Sequence, residues 1–432
     1  MSRGPKIQDL LIAHTPQSPA HCTKGVPFGV DLTSSQVESN NWNILRGDLP
    51  FPLLLLKESA LDHNLRSMAR WCAKNNVLFA PHGKTTMCPQ LIARQLDAGA
   101  WAITVATVSQ ALVCASFGVQ RILIANQVAG GGNIQLLVQL LKHHPEVECY
   151  VLVDSVGGIC HLADGLKKYE SPAKIGVLLE WGRKEWRTGV RTEFEALRVA
   201  AELVRHDQVM EFCGVEGYEG LASSADGEKA EILQVEDFFS DLLALARKLR
   251  ATSLLKEDGF LSVGGTSVLD RVSLLAEQAA TEFEIVVRSG CYITSDDGFY
   301  AEKLSASHHR LPSGTPELKP ALELWSYVQS IPEPGLAFLT FGKRDCSHDL
   351  GFPEPLFSIT SETSEQMALK GCSIFKLNDQ HAYMSFPTTL HLEIGSLVCC
   401  GISHPCTAFD KWRVIPVVGD DYGVIDLYKT FF

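Results

Sequence analysis

Between residues 77 and 288, short apolar segments alternate with amphipathic stretches, and this alternation constrains the fold more than any other feature. We predict eight strands in this region: Val77–Pro81, Ala102–Ala106, Arg121–Asn126, Cys149–Asp154, Ile175–Trp181, Glu211–Glu216, Phe260–Val263 and Glu284–Arg288. The stretches between them predict helices, among them Pro89–Ala98, Ser109–Phe117, Ile134–His143, Thr192–Arg205 and Glu236–Arg250.

Strands that are separated by crossover helices pair in parallel. Eight such strands over about 210 residues predict an α/β fold in which the sheet closes into a (β/α)8 TIM-type barrel. An open, doubly wound sheet is the alternative, but eight near-continuous apolar strands in regular order favour the barrel.

The pattern changes after Asp297, where Gly and Pro turns separate strands and no clear helices intervene. The predicted strands here are Phe338–Phe341, Leu356–Thr360, Leu390–Glu393, Ser396–Cys399, Trp412–Val418 and Gly423–Leu427. We predict loops at Ser305–Glu317 and Thr363–Glu365. This pattern is typical of a mostly antiparallel β domain. The predicted barrel spans residues 58–298, and residues 1–57 and 299–432 form the β domain.

A formal net charge of −12 argues against nucleic acid or an anionic membrane as the main partner. The apolar run Phe51–Leu56 is too short to span a bilayer. The N-terminal residues lack the pattern of a signal peptide, and the 13 Cys are an odd, scattered set. These features predict a cytoplasmic protein with free thiols.

Active sites of such barrels lie at the C-terminal ends of the strands, where the first predicted strand continues into Pro81-His82-Gly83-Lys84. A lysine screened from bulk water can have a depressed pKa and form a Schiff base. If the chain is extended, His82 and Lys84 point the same way. Judged by position alone, a solvated lysine is the commoner outcome.

Two glycine-bearing turns follow the last two barrel strands, where phosphate sites are often built in this fold. The first contains Gly265 and Thr266, and the second contains Gly290, Cys291 and Tyr292. Glycines allow backbone N–H groups to converge on an anion. A single Gly-Gly pair usually marks only a turn, but two such turns at these two places together indicate a phosphate site.

Two further side chains follow strands five and six. Arg187 could contact a cofactor, although most arginines lie on the surface, and Tyr218 could hydrogen-bond a heteroaromatic nitrogen or simply lie at the rim. A lysine and a phosphate cradle in one barrel mouth indicate a phosphorylated aldehyde cofactor. Pyridoxal phosphate satisfies both requirements.

Near the C-terminus, His404 and Cys406 are two residues apart and project to one side if their segment is extended. Imidazole and thiolate together suit zinc. A His-x-Cys pair alone is more often structural, since closed zinc sites need four ligands and open ones normally take three from the protein. Both interpretations stay open on this pattern.

Taken in order, PHGKT, WRTGV, EGYEG, GGTS, RSGCY, SHPC and FDKW resemble the D-serine dehydratase and D-threonine aldolase group of fold-type III pyridoxal-phosphate enzymes with zinc. The resemblance covers residues from about 50 to the C-terminus. It implies that Lys84 anchors the cofactor, that Tyr218 faces its ring nitrogen, and that Arg187 lies near the ring. It also implies phosphate contacts from the two glycine turns and zinc ligation by His404 and Cys406.

The resemblance implies dehydration and deamination of a D-β-hydroxy amino acid, with D-serine giving pyruvate and ammonia. The aldolases usually have Asp at the position of Cys406, so this chain is more similar to the dehydratases. The alternatives are a D-threonine-type aldolase, an amino-acid racemase and a non-catalytic pyridoxal-phosphate-binding protein. In related folds a second subunit closes the barrel mouth, so we expect a homodimer.

Overall fold

The computed structural model describes residues 23–27, 37, 40–360 and 365–432. Strand β1 (Leu53–Lys57) precedes the alternating region and pairs with strands of a second sheet. The next eight strands form one parallel sheet in the order β2-β9-β8-β7-β6-β5-β4-β3. They are β2 (Leu78–Phe79), β3 (Ile103–Val105), β4 (Arg121–Gln127), β5 (Glu148–Val153), β6 (Ile175–Trp181), β7 (Met210–Gly217), β8 (Phe260–Val263) and β9 (Ile285–Val287).

The two edges of this sheet meet, because the segment after β2 pairs with the segment that leads into β3. The N–H of Trp101 donates to the carbonyl of Phe79 at 2.7 Å, and the N–H of Thr104 donates to the carbonyl of Pro81 at 2.9 Å. His82 and Thr104 form a parallel bridge. All eight predicted strands are present, and the α/β barrel is confirmed.

Helices surround the barrel: α1 (Glu58–Asn75), α2 (Pro89–Asp97), α3 (Val108–Ser116), α4 (Gly131–His143), α5 (Val156–Lys168), α6 (Glu193–Arg205), α7 (Glu228–Ala251) and α8 (Leu269–Ala279). Several begin at capping side chains that accept a hydrogen bond from a first-turn N–H, as Thr107 does for α3 and Thr192 for α6. Their buried faces are apolar; α4, for example, buries Ile134, Leu137 and Leu141.

Aromatic rings fill the N-terminal end of the barrel. The ring centroids of Trp101, Tyr150 and Phe260 lie 5.6–5.8 Å from one another. Phe260 is the first residue of β8, which places this cluster at the end where the strands begin. The opposite end therefore remains available for a ligand, as is usual for this architecture.

Among the described residues, the second sheet has ten strands. They are β1 and β10 (Leu322–Glu333), β11 (Leu336–Leu339), β12 (Glu354–Ile359), β13 (Gln366–Ala368), β14 (Ser373–Leu377), β15 (Ala382–Ser385), β16 (Leu397–Gly401), β17 (Val414–Val418) and β18 (Val424–Lys429). Their pairings are antiparallel except that of β1 with β17. A mostly antiparallel domain is confirmed, whereas its boundaries stay a prediction.

The loop predicted at Ser305–Glu317 is wrong in its first half, because helix α9 (Phe299–Arg310) continues through it. The Asp296 carboxylate accepts hydrogen bonds from the N–H groups of Gly298, Tyr300 and Ala301 and so starts the helix. The Ser307 hydroxyl donates to the Ser267 carbonyl at 3.0 Å. Long-range packing thus holds a helix whose own sequence pattern is weak.

The strand predicted at Leu390–Glu393 is also wrong, since this segment is irregular backbone between two turns, at residues 388–389 and 394–395. Its apolar and polar residues alternate as in a strand, but it pairs with no strand among the described residues. Of the loop predicted at Thr363–Glu365, residues 363 and 364 lie outside the described residues.

The described cysteines are free thiols. Among the described helices, none combines the length and the apolarity needed to cross a bilayer.

Candidate active site

A cavity of about 430 Å³ opens where the barrel strands end. Loops that follow the strands line it, together with the loop that follows β16 in the second sheet. Every site residue that the sequence predicts lies there except Tyr292: His82, Lys84, Arg187, Tyr218, Gly265, Thr266, Gly290, Cys291, His404 and Cys406. The fold therefore brings together residues that are up to 324 positions apart, from His82 to Cys406.

Lys84 lies in a 3₁₀ turn, Gly83–Thr85, directly after β2. The expectation of an extended chain at His82 and Lys84 is wrong, although both side chains line the cavity. The Lys84 side chain is exposed to the cavity, and the atoms of the cavity wall surround it. Burial lowers its pKa, the nearby thiols of Cys406 and Cys291 oppose this effect, and the guanidinium of Arg187 lowers the pKa further. A lowered pKa favours the neutral amine, which acts as nucleophile and base.

The imidazole of His82 lies deeper in the same wall. Burial, followed by the charges of Lys84 and Arg288, lowers its pKa well below the usual range, so the ring is neutral. Its buried Nδ1 has no hydrogen-bond partner among the described residues. Buried polar atoms are normally paired, so this atom indicates a missing ligand or water.

Arg187 and Tyr218 contact each other at the cavity wall. The guanidinium carbon of Arg187 lies 4.8 Å from the centroid of the Tyr218 ring, which is a cation–π contact. Burial raises the pKa of Tyr218 to about 12, so its hydroxyl stays protonated. This hydroxyl can donate to a neutral acceptor such as an aromatic nitrogen.

Glu219 organises the glycine turn after β8, and the sequence analysis did not assign it a role. Its buried carboxylate accepts hydrogen bonds from the N–H groups of Gly264 at 3.1 Å and Gly265 at 2.6 Å. Gly264 has φ +99°, a conformation that favours glycine. The Gly265 N–H is therefore paired within the protein, and its contact with a phosphate stays a prediction. The first unassigned N–H groups of this turn belong to Thr266 and Ser267.

Two 3₁₀ turns, Thr266–Val268 and Cys291–Ile293, begin at the cavity, and no side chain in the described part of the chain caps the start of either. Their leading N–H groups are consequently available to an anion. Gly290 precedes the second turn and packs against His82, because a Cβ at Gly290 would lie 2.5 Å from the His82 carbonyl oxygen. Only glycine permits this approach.

Arg288 and Glu216 form a buried ion pair beneath these turns. The Arg288 guanidinium also donates to the Gly217 carbonyl at 3.1 Å. Burial raises the pKa of Glu216 to about 7, while the charge of Arg288 opposes the shift. Since Arg288 lines the cavity as well, it adds positive charge for an anionic ligand.

His404, Cys406 and Cys291 form a cluster whose candidate ligand atoms lie within 4.8 Å of one another. The segment after His404 is a 3₁₀ turn, Pro405–Thr407, so the extended chain expected there is wrong. The Nδ1 atom of His404 lies 2.8 Å from the Asp349 carboxylate. Contacts with Cys291, then with His404, lower the pKa of Cys406 despite burial, which favours a thiolate.

The Tyr292 side chain is the exception among the predicted residues. Its ring packs against Phe79 with centroids 4.9 Å apart, and it lines a separate apolar cavity beside α1. A 3₁₀ turn advances about 120° per residue, so the neighbouring side chains of Cys291 and Tyr292 diverge. Tyr292 therefore stabilises the barrel wall.

Other residues at the site were missed by the sequence analysis. Tyr300 lines the cavity, and its ring centroid lies 6.0 Å from that of His404. The Thr85 hydroxyl lies 3.3 Å from the Cys406 sulfur. Glu219 could have been predicted because it directly follows Tyr218 in the sequence. Asp349 and Tyr300 have no recognisable sequence spacing from the residues that they contact.

Two family models match the chain. The model described as "Alanine racemase, N-terminal domain" covers residues 56–292, and the one described as "Putative serine dehydratase domain" covers residues 321–418. The first spans more than half of the chain. This chain belongs to the fold-type III pyridoxal-phosphate enzymes.

Relatives of this fold-type III chain include the D-threonine aldolase of Arthrobacter sp., which is 25% identical over 384 residues. That match covers 87% of this chain and 90% of the aldolase. The structure of the D-threonine aldolase from Filomicrobium marinum has a TM-score of 0.73 at 22% identity and covers 89% of this chain and 95% of its own. The D-threo-3-hydroxyaspartate dehydratase from Delftia sp. HT23 has a TM-score of 0.71 at 19% identity and covers 90% and 99%. Both structures share the fold.

The residues present fit pyridoxal phosphate, the cofactor of this family. The cavity offers a lysine with a lowered pKa, two uncapped turns for a phosphate, and the positive charges of Arg187 and Arg288. On one wall of the cavity, His82 Nδ1 has no partner among the described residues and can hydrogen-bond a ligand. Gly290 packs closely against His82 on the same wall. A divalent metal also fits the soft donor set of His404 and the neighbouring thiols.

Proposed function

We propose that this chain is a pyridoxal-phosphate- and zinc-dependent lyase that dehydrates and deaminates a D-β-hydroxy amino acid, with D-serine giving pyruvate and ammonia. One observation carries the proposal: a single cavity contains both a lysine with a lowered pKa and a His/Cys cluster suited to a metal. The match of the serine dehydratase domain supports it, since residues 321–418 include His404 and Cys406.

In this proposal Lys84 has two tasks. Its amine would anchor the cofactor, and as a free amine it would accept the proton from Cα of the substrate. Partial burial, to which the charge of Arg187 adds, lowers the pKa of this amine, so it is neutral over more of the pH range than a fully solvated lysine. A general base must be deprotonated before it acts. Bound pyridoxal phosphate supplies an electron sink for the charge that develops at Cα.

The other wall residues orient the cofactor and the substrate. The raised pKa of Tyr218 keeps its hydroxyl protonated, so it would donate to the ring nitrogen of the cofactor, and Arg187 packs over the Tyr218 ring. The uncapped turns that begin at Thr266 and Cys291 would hold the phosphate through their leading N–H groups. Glu219 does not touch the ligand in this scheme; it fixes the glycine turn from below.

Hydroxide is a poor leaving group, so loss of the β-hydroxyl needs assistance. Zinc held by His404 and Cys406 would supply Lewis-acid character next to that oxygen. Asp349 orients the imidazole through Nδ1, and it thereby leaves Nε2 for the metal. The reaction removes water from Cα and Cβ, and hydrolysis of the released aminoacrylate returns that water and gives pyruvate and ammonia.

A D-threonine-type aldolase is the second candidate, because the Arthrobacter relative is named as one and matches along 87% of this chain. In an aldolase a base takes the hydroxyl proton and the Cα–Cβ bond breaks. The products then are glycine and an aldehyde.

One experiment separates the two candidates. The enzyme is loaded with pyridoxal phosphate and Zn²⁺ and given D-serine, D-threonine or D-threo-3-hydroxyaspartate, with the L-enantiomers and Lys84→Ala as controls. We expect a 2-oxo acid and equimolar ammonia from the D-substrates. Glycine with aldehyde establishes the aldolase instead, and no product from any D-substrate overturns the lyase proposal.

The proposal includes a homodimer in which a second subunit covers the cavity mouth. Leu350 supports this, since it lines the cavity and is 45% exposed in the single chain. The mass of one chain is 47.4 kDa, and sedimentation at micromolar concentration should give twice this mass. A monomer that is fully active contradicts this part of the proposal.

A further inference from the structure

The Cys291 thiol lies in the same cluster as the two metal ligands proposed above. Its sulfur is 3.3 Å from the sulfur of Cys406, and the candidate ligand atoms of Cys291, His404 and Cys406 all lie within 4.8 Å of one another. Cys291 belongs to the barrel, in the turn after β9, whereas the other two belong to the loop after β16. The cluster therefore forms only when the two sheets are assembled.

The separation of the two sulfurs matches ligation better than a disulfide. A disulfide bond places its sulfurs about 2.05 Å apart. Zn–S bonds of about 2.3 Å in a tetrahedral site place two sulfurs about 3.8 Å apart. The observed 3.3 Å is close to this second value, so each side chain needs to move by only a few tenths of an ångström.

The surroundings of the cluster are those of a metal centre. The Asp349 carboxylate lies 2.8 Å from Nδ1 of His404, and this contact leaves Nε2 as the ring atom available to an ion. Asp349 also accepts a hydrogen bond from the Thr407 hydroxyl at 3.2 Å, so its own orientation is fixed. The Thr85 hydroxyl lies 3.3 Å from one sulfur and 3.9 Å from the other, within reach of both.

Catalytic zinc sites normally have three protein ligands and one open position. All three members of this cluster line the cavity, so an open position would face the ligand space. His404 and Cys406 alone give only two ligands, which is one fewer than such sites usually have. Two sulfurs and one imidazole select zinc or cobalt over magnesium, because Mg²⁺ prefers oxygen.

We propose that Cys291 is the third protein ligand of the metal centre, which gives a Cys₂His donor set with its free position facing the cavity. This inference rests on the proposed function and deepens it, since it completes the ligand set of the same site. Cys291 then has two separate tasks. Its backbone N–H lies at the start of an uncapped turn, and its thiolate binds the ion.

Cobalt substitution tests the proposal without reference to activity. Thiolate-to-Co²⁺ charge-transfer absorbance grows with the number of bound thiolates. Metal-free protein that retains pyridoxal phosphate is titrated with Co²⁺ for the wild type, Cys291→Ser, Cys291→Ala and Cys406→Ser. Cys114→Ala is the matched control, because Cys114 is buried in α3 and far along the chain from the cluster.

We expect one Co²⁺ per chain in the wild type, about half of the charge-transfer intensity in each Cys291 variant, and no change in Cys114→Ala. Loss of an outer partner of a ligand commonly costs 10–100-fold in metal affinity, so loss of a ligand should weaken Co²⁺ at least about 10-fold. Circular dichroism and retained cofactor absorbance show that the variants fold. X-ray absorption of the zinc form should count two sulfurs, and one in Cys291→Ser.

Two results overturn the inference: Cys291 variants with the wild-type cobalt spectrum and affinity, or a wild-type protein that binds no Co²⁺ because Cys291 and Cys406 are joined in a disulfide. The proposed function fails separately. If the spectrum shows two thiolates but no D-amino acid is converted, the ligand set stands and the lyase does not. If the Cys291 variants have the wild-type cobalt spectrum while 2-oxo acid still forms, the lyase proposal is supported and Cys291 is not a ligand.

Discussion

The Glu219 carboxylate accepts a 2.6 Å hydrogen bond from the backbone N–H of Gly265. A second bond at 3.1 Å comes from Gly264, so one buried side chain determines how the glycine turn faces the cavity. The turn that the sequence assigns to phosphate binding is thus itself held by a carboxylate from the neighbouring strand loop.

Glu219→Ala should loosen this turn, because two buried N–H groups lose their acceptor. Hydrogen bonds to a charged group contribute about 1.5–3 kcal/mol each, but burial of the carboxylate, which raises the pKa of Glu219, offsets part of the two bonds, so we expect a net loss of about 2 kcal/mol in the free energy of unfolding. Affinity for pyridoxal phosphate should fall with it. Urea unfolding and a cofactor titration measure the two effects, and the exposed Glu257→Ala serves as control. An unchanged cofactor affinity would show that the turn keeps its shape without Glu219.

Lys84→Ala should abolish both the imine absorbance of bound pyridoxal phosphate and product formation, since no other amine is expected to reach the cofactor aldehyde. Absorption spectra and mass spectrometry after borohydride reduction provide the measurement. Lys174→Ala, at an exposed position, should behave like the wild type. A persistent imine band in Lys84→Ala means that another lysine anchors the cofactor.

The lowered pKa of Lys84 also predicts a pH dependence. Neutral amine is present above the folded-state pKa, so covalent labelling of Lys84 in cofactor-free protein should remain fast to lower pH than labelling of a lysine in a short unstructured peptide. Burial is the main cause of the lowered pKa, and the charge of Arg187 adds to it, so Arg187→Gln should move the midpoint upward. Quantitative mass spectrometry of the labelled peptides checks this, and equal midpoints for Lys84 and the free peptide would contradict it.

Metal removal should reduce pyruvate formation from D-serine strongly while the cofactor stays bound. Treatment with a chelator followed by dialysis tests this, with Zn²⁺ expected to restore activity and Mg²⁺ not, because the proposed ligands are thiolate and imidazole. Undiminished pyruvate formation after verified loss of metal excludes a zinc role in the reaction.

Asp297 predicts a pH dependence of stability. Burial, and then the charges of Asp296, Glu323 and Glu354, raise the pKa of Asp297 from 3.8 to about 7. The folded state therefore holds a proton that the unfolded state releases between pH 4 and pH 7, so this group's contribution to stability falls as pH rises through that window.

Asp297→Asn removes the cost of the buried charge. At pH 8 we expect it to stabilise the protein by about 2 kcal/mol, half of the roughly 4 kcal/mol that the full shift implies. At pH 4 the variant and the wild type should be close. Urea unfolding at both pH values measures the difference, with Asp207→Asn in an exposed turn as control. A constant difference across pH would contradict the raised pKa.

The barrel could be predicted from the sequence because its information is local. Apolar runs such as Ile175–Trp181 are typical of buried parallel strands. Helical periodicity between them indicates crossover helices and so leaves few alternative folds. The position of Lys84 followed from the same pattern, since a residue after a barrel strand lies at the mouth. Candidate site residues such as Lys84 could therefore be predicted from their position after a single strand.

Local pattern also misled in places. Leu390–Glu393 alternates like a strand but has no pairing partner among the described residues. Phe299–Arg310 lacks a strong helical pattern, yet it forms a helix that the Asp296 carboxylate caps. Tyr292 has the sequence neighbours of a site residue, but its 3₁₀ turn directs the ring to Phe79. Such outcomes depend on contacts between residues that are far apart along the chain.

The sequence by itself determined the strands, the lysine after the first of them, the two glycine turns and the His-x-Cys pair, because each lies within a few residues. Only the tertiary structure decided that Cys291 meets Cys406 across 115 positions and that Glu219 occupies the N–H groups of Gly264 and Gly265. The physical reason is that ligand and hydrogen-bond geometry act over about 3 Å in space, and no spacing in the sequence encodes which distant loops the closed barrel and the second sheet place that close.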